Sequence, residues 1–392
     1  MQFIDLKAQF KVIEEEVRAR IDTVLEHGSF ILGPEIKELE GKLADVAQAR
    51  HCITCASGTD ALLMPLMAWG VGPGDAVFVP AFTFFATAEV VSLLGATPVF
   101  VDIGEDYNID PQGLERAIAA VLTQNPATHP LPAPALAQKL TPKAIIPVDM
   151  FGIAADYPAI AKIAAKYKLL VLEDAAQSFG GSRFGKPVCG QGAECSGTSF
   201  FPAKPLGCYG DGGAIFTDDD ALAGHLKSLR VHGKGSHKYE NIRIGLNGRM
   251  DTLQAAIMLP KVDILEHEMI LRQNVADGYA ARLDGVSGLR APALPQGCVS
   301  AWAQYTVRIA GGKRDEVAAA LHKKGVPTAV YYPMPLHVQR VYEDLKYKAE
   351  DMPVASAMCA EVLSLPFHPY LSEPDQDKVC AALRESLQEA GL

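Results

Sequence analysis

Ser199-Phe200-Phe201-Pro202-Ala203-Lys204-Pro205-Leu206-Gly207 lies downstream of Glu173-Asp174-Ala175-Ala176-Gln177-Ser178, and these two stretches decide the reading of the chain. The first half of the later stretch, Thr198-Ser199-Phe200-Phe201, reads as a short strand. Pro205 biases Lys204 away from helical dihedrals, and Pro202 fixes its own φ. Gly207, Gly210, Gly212 and Gly213 then read as a tight loop in which the backbone approaches a ligand or turns sharply. The earlier stretch is an acidic strand end. A lysine standing alone in such a turn is usually a solvated loop lysine, so its meaning depends on what surrounds it.

Working outward, strand-like and helical patterns alternate from about residue 35 to 220. The strand-like runs are 51–56, 76–80, 98–102, 144–148, 169–174, 197–201 and 213–217, with helical patterns such as 58–69 and 154–168 between them. That alternation predicts an α/β domain with a mixed, mainly parallel sheet. Ligands of such sheets bind at the carboxyl ends of the strands. Phe84, Asp174 and Lys204 all fall just past strand ends.

The chemistry these residues offer is that of pyridoxal phosphate (PLP). A placed lysine binds the aldehyde as a Schiff base, an aspartate at a strand tip pairs with the pyridine nitrogen, and the Ser199 hydroxyl meets the phosphate. Ala56-Ser57-Gly58-Thr59-Asp60-Ala61-Leu62 follows a strand and opens a helix, where free N–H groups and the helix dipole cradle a phosphate. Pro80-Ala81-Phe82-Thr83-Phe84-Phe85 brings aromatics to another strand end, and one ring can stack on the pyridine. Each feature also has a plain structural reading. Asp174 read alone is a helix N-cap, Phe82 and Phe85 are core aromatics, and Gly58-Thr59 is an ordinary helix start. Arg249, in Gly245-Leu246-Asn247-Gly248-Arg249, read alone is a surface ion-pair residue. Pro335-Leu336-His337 and Pro366-Phe367-His368-Pro369 read alone are proline-fixed turns.

Composition narrows the field. The chain has 392 residues, 49% hydrophobic and 21% charged, with a net charge of −10. That suits a globular enzyme and leaves no basic footprint for nucleic acid. Between Asp75 and Asp102 the only charged residue is Glu89, but Pro80, Gly95 and Pro98 break the stretch, which reads as strand–helix–strand and not as a membrane span. Cys52-x-x-Cys55 has no second pair to complete a metal site, so Cys55 reads as a core residue and no metal is expected. Eight scattered cysteines and a polar start, Met1-Gln2-Phe3-Ile4-Asp5, point to the cytoplasm.

Three segments are expected: a large domain over 1–255, a linking helix over 256–284 within a helical pattern broken at Pro260, and a small α+β domain over 285–392. In the last, a strand is predicted at 302–309, a helix at 313–324, a strand at 328–332, and helices beyond. The proline-rich stretch 125–142 reads as a surface insertion.

Taken in order, Phe3-Ile4-Asp5-Leu6, Gly33-Pro34-Glu35, Ser57-Gly58-Thr59-Asp60-Ala61-Leu62, Thr83-Phe84, Glu173-Asp174-Ala175-Ala176-Gln177, Ser199–Lys204, Gly210-Asp211-Gly212-Gly213, Asn247-Gly248-Arg249 and Pro335-Leu336-His337 resemble the DegT/DnrJ/EryC1/StrS family of PLP-dependent sugar aminotransferases over nearly the whole chain. The resemblance implies a fold-type I architecture and a homodimer with shared active sites. It implies Lys204 as the Schiff-base lysine, Asp174 at the pyridine nitrogen, Gln177 near the ring hydroxyl and Phe84 as the stacking ring. Gly58, Thr59 and Ser199 match phosphate contacts, Asn247 matches the asparagine that reaches the partner's phosphate, and Arg249 and His337 are the substrate-binding candidates. The stretches 199–213 and 243–249 look like enzymes that aminate C3 of UDP-2-acetamido-2-deoxy-3-keto-glucuronic acid with L-glutamate for O-antigen synthesis. Asp149 stands where many members have His or Ser, which is a departure. Other readings are a 3- or 4-keto-6-deoxyhexose aminotransferase, a PLP-dependent dehydratase, against which Lys204 argues, and a PLP-binding regulator.

Overall fold

The computed structural model describes residues 1–237 and 239–392. Seven strands form the central sheet: β1 (His51–Cys55), β2 (Asp75–Pro80), β3 (Thr97–Val101), β4 (Thr141–Ile145), β5 (Leu170–Asp174), β6 (Cys195–Ser199) and β7 (Gly213–Thr217). Their order across the sheet is β1-β7-β6-β5-β4-β2-β3. Neighbours from β3 to β6 pair in parallel, and β7 runs antiparallel to both β6 and β1. Runs such as Thr97-Pro98-Val99-Phe100-Val101 are buried throughout, as a sheet covered by helices on both faces demands. The helices Gly58–Ala68 and Ala86–Leu93 lie with one apolar cluster, and the helix Pro34–Ala47 lies with another. All seven sequence-predicted strands are present, with β4 and β6 starting two or three residues earlier than their patterns suggest.

The helix Thr252–Leu283 runs unbroken for 32 residues through Pro260, so the predicted break is corrected. A proline inside a helix costs about 3 kcal/mol, but residues 255–262 are all buried and packed against the helices Leu6–His27 and Pro34–Ala47. The helix Leu6–His27 has no counterpart in the sequence reading. It buries only Gln9, Ile13, Val17 and Val24, too sparse an apolar stripe to stand out.

Beyond the long helix a second sheet forms from β8 (Leu289–Arg290), β9 (Tyr305–Ile309) and β10 (Val362–Leu365), all antiparallel. The strand predicted at 328–332 is not there; one bridge, Ala329 to Ser364, remains of it. Val362–Leu365, fully buried, takes the edge instead, and the chain at 328–332 turns toward the central sheet. Tyr279 of the long helix joins Trp302, Tyr305 and Phe367 in the core of this part.

The proline-rich stretch is less external than predicted. Leu131, Ala135 and Leu140 are buried, and His129 Nε2 bonds the Phe100 carbonyl of β3 at 2.8 Å. It covers the open edge of the central sheet.

Candidate active site

Asp174 ends β5. Its backbone N–H donates to Pro147 and its carbonyl accepts from Asp149, both within 3.0 Å, so the strand tip is held on the β4 side. The carboxylate is only 4% exposed. Oδ2 accepts from Thr87 Oγ1 at 2.8 Å, and Oδ1 accepts from the Ala176 N–H at 3.2 Å. Burial pushes this carboxyl above its usual range, while Thr87, the Ala176 N–H and the Lys204 ammonium oppose the shift. No helix begins after Asp174, so the N-cap reading falls away. A buried carboxylate here can hold a proton on a neighbouring ring nitrogen.

Lys204 sits in the turn after β6, with its N–H bonded to Phe201 O at 2.9 Å. The side chain is half-buried, and among the described residues its ammonium has no hydrogen-bond or ion-pair partner within reach. Burial lowers the ammonium below the ordinary lysine range, with Asp174 pulling the other way. The charges of Asp174 and Lys204, carried past the ends of adjacent strands, thus act on each other.

The turn from β1 into the helix Gly58–Ala68 lies alongside. Ser57 Oγ caps the helix by accepting from the Asp60 N–H at 3.1 Å. The amides of Gly58 and Thr59, in the first turn, have no intrahelical acceptor. Gly58 is required: a Cβ there would lie 2.5 Å from the Ser199 Cβ. Ser199 Oγ accepts only a 3.3 Å bond from the Phe201 N–H. Two free N–H groups, a helix N-terminus and a lightly engaged hydroxyl make an anion cradle.

Three phenylalanines follow β2, and their roles divide. Phe82 is buried against Tyr107, Phe151 and Tyr332, and Phe85 packs on Tyr342. Phe84 is 57% exposed, with its ring 6.3 Å from that of Tyr332. Gln177 is buried, accepts from the Phe151 N–H at 2.9 Å and donates to Tyr332 Oη at 3.3 Å. Tyr332 therefore touches both Gln177 and the Phe84 ring, and sequence reasoning missed it. Its only signal was the Tyr331-Tyr332-Pro333 triplet, since its partners lie far away in sequence.

Asp149, the departure noted above, faces inward. Its carboxylate accepts from the Ala155 N–H, Tyr157 Oη and Ser178 Oγ at 2.8 to 2.9 Å. Burial pushes it up to about 6 despite those bonds. Glu173 beside it is raised well above the carboxylate range, first by burial and then by the charge of Asp149. The departure is accommodated in the interior.

Gly248 O accepts from the Ala56 N–H at 3.0 Å, which sets the 246–249 loop next to the Ser57-Gly58 turn. Asn247 is exposed, with its amide unbonded among the described residues. The Arg249 Nε is buried without a partner. His337 stands apart. It is 1% exposed, its ring packs against Phe100 and Tyr347, and both ring nitrogens are shut off from solvent. The structure places His337 in packing contact with these two rings, and burial lowers its imidazole. What its segment contributes is the Leu336 N–H bonded to Ala81 O at 2.8 Å, which ties the loop to the end of β2.

Cys52 and Cys55 are both buried, and burial raises both thiols, as core residues require. No helix among the described residues is long and apolar enough to cross a membrane.

Comparison with known proteins agrees with this geometry. The model of the DegT/DnrJ/EryC1/StrS aminotransferase family matches residues 11–384. A protein of Pseudomonas aeruginosa named UDP-2-acetamido-2-deoxy-3-oxo-D-glucuronate aminotransferase is 50% identical over 98% of this chain and 99% of its own. A DegT DnrJ EryC1 StrS aminotransferase from Brucella abortus, solved by crystallography, is 49% identical with a TM-score of 0.91, over 98% of this chain and 99% of that one. Bacillus subtilis NtdA, solved with bound cofactor PMP, is 30% identical with a TM-score of 0.87, over 99% of this chain and 85% of that one.

Proposed function

The chain belongs to the DegT/DnrJ/EryC1/StrS aminotransferase family, and from that premise we propose that it moves an amino group from L-glutamate to C3 of UDP-2-acetamido-2-deoxy-3-keto-glucuronic acid. The enzyme is a PLP-dependent sugar aminotransferase with an α/β, fold-type I architecture. The observation that carries the reaction class is the placing of Lys204, unpartnered among the described residues, where its charge and that of buried Asp174 act on each other, beside the free Gly58 and Thr59 amides.

When bound, the cofactor supplies an electron sink for breaking a C–H bond next to nitrogen. The chain's residues do the rest. Asp174, buried and steadied by Thr87, keeps a proton on the pyridine nitrogen. Lys204 would hold the cofactor through its amine and, once released, would carry a proton to and from the donor's α-carbon. Its ammonium, lowered by burial, gives up a proton more readily than a free lysine near 10.4. Gly58, Thr59 and Ser199 would hold the phosphate, Phe84 would cover the ring, and Gln177, braced by Phe151 and Tyr332, would meet the ring hydroxyl.

The substrate assignment follows the Pseudomonas relative, and Arg249 supports it. An Nε buried without a partner in the loop beside the phosphate cradle is a guanidinium ready for an anion, and a uronate carboxylate fits it. Assembly as a homodimer is supported by exposed apolar residues: Phe30, Ile31 and Leu32 next to Asp251 and Thr252, with Phe201, Ile242 and Ile244. The exposed Asn247 amide, unbonded among the described residues, is free to reach a partner's phosphate. The division at 1–255, 256–284 and 285–392, a cytoplasmic site of action and a product destined for O-antigen are parts of the same reading. A purely regulatory role is not favoured, since every cofactor element is present. A panel of nucleotide keto-sugars assayed with glutamate tests the assignment: the 3-keto-uronate should react fastest, and a faster 3- or 4-keto-6-deoxyhexose would replace it.

A further inference from the structure

Lys261 lies on the long helix, has no role in the site described above, and is 1% exposed. Burying an ammonium is costly unless it is paired. Among the described residues no carboxylate lies within ion-pair distance of it. Glu268, the acid two turns along the helix whose charge acts on Lys261, is already engaged: its oxygens accept from Gln9 Nε2 at 2.8 and 3.0 Å and from Tyr370 Oη at 2.6 Å. Burial accordingly lowers Lys261 to about 8, with Glu268 and Cys208 pulling it back up. An apolar side chain of the same length would fill this space at less cost, so the charge calls for a reason.

Its two contacts supply one. Lys261 Nζ donates to the Gly207 carbonyl at 2.6 Å and lies 4.0 Å from the centre of the Tyr209 ring. Both partners belong to the loop that leaves Lys204. That loop is folded tightly on itself: Cys208 N–H bonds Phe200 O at 2.8 Å, and a Cβ on Gly207 would lie 2.6 Å from the carbonyls of Phe201 and Pro202. Gln254, from the start of the same helix, accepts from the Tyr209 N–H at 2.9 Å. The Lys204 turn is thus closed by its own backbone and tied to the long helix from behind, with Lys261 as its one charged tie among the described residues.

We propose that Lys261 is a positioning residue for Lys204: by pinning the Gly207 carbonyl it fixes the turn that presents the Lys204 amine to the cofactor aldehyde. The inference rests on the assignment of Lys204 as the linking lysine, and the test separates the two. Full-length protein saturated with PLP is treated with borohydride, and the cofactor trapped on Lys204 is measured by mass spectrometry beside total bound cofactor. In the wild type the trapped cofactor should sit on Lys204; label elsewhere would sink the assignment itself. Lys261→Met keeps length and removes donor and charge. It should bind as much cofactor as wild type and melt no lower, while the fraction trapped on Lys204 falls about tenfold, in line with the sensitivity of covalent steps to small misplacements. A wild-type fraction, or equal loss of trapped and total cofactor, would overturn the proposal. If Lys261→Met fails to fold, Tyr209→Leu removes the ring under the ammonium and should lower the trapped fraction in the same direction, by less; no change there would overturn it equally.

Discussion

Gly58→Ala tests the phosphate cradle at the point where the structure is tightest. The added methyl would lie 2.5 Å from the Ser199 Cβ and 2.9 Å from its hydroxyl, both on β6. Carbon atoms in contact stand about 3.5–4.0 Å apart, so the helix start and β6 must separate by roughly 1 Å. Overpacking of this kind costs about 1–3 kcal/mol of stability. The same movement draws the Gly58 and Thr59 amides away from Ser199, and a charge-assisted hydrogen bond contributes about 1.5–3 kcal/mol. Loss of one such bond weakens PLP binding about ten- to a hundredfold. The assay is a titration of cofactor-free protein with PLP, and with pyridoxal, which lacks the phosphate, as control. PLP affinity should fall by that factor while pyridoxal affinity holds. An equal fall for both ligands, or none for PLP, would refute the cradle.

Asp174→Asn keeps shape and removes charge; kcat should fall by at least about a hundredfold with the melting temperature nearly unchanged, and an unchanged kcat would reduce Asp174 to a structural residue. Arg249→Lys should lower kcat/KM for the 3-keto-uronate about ten- to a hundredfold and leave the matching uncharged 3-keto-hexose nearly untouched; equal losses would move Arg249 to the cofactor or the interface. Asp149 is raised to about 6 by burial, above its unfolded value of about 3.9. The native state therefore holds this proton more tightly, and the stability it adds is full below about pH 3.9 and lost as pH rises through about 6. Asp149→Asn should flatten the fall of melting temperature across that window; an identical slope would remove Asp149 as its source.

The strands were legible because β2, β3 and β5 are short apolar runs bounded by turn residues, the pattern of a sheet covered on both faces. Their ends carried the chemistry, so Asp174, Lys204, Gly58 and Phe84 could be picked from order alone. What could not be read depends on distant partners. Tyr332 reads as a strand residue until Gln177, 155 positions away, is found on its hydroxyl. Lys261 carries no signal in the sequence, because its partners, the Gly207 carbonyl and the Tyr209 ring, lie some fifty positions away. His337 belongs to a recognisable motif, but its burial against Phe100 and Tyr347 is set by how the 336–347 segment folds over β2 and β3. Pro260 predicts a break that packing overrides.

The central claim is that Lys204 and this cleft move an amino group from an amino acid to a keto-sugar. Absorbance spectra of the PLP-loaded protein test it most directly. Adding L-glutamate should replace the lysine-linked band with that of the aminated cofactor, and adding UDP-2-acetamido-2-deoxy-3-keto-glucuronic acid should restore it; Lys204→Ala should do neither. A wild-type spectrum indifferent to glutamate, or normal turnover by Lys204→Ala, would contradict the account.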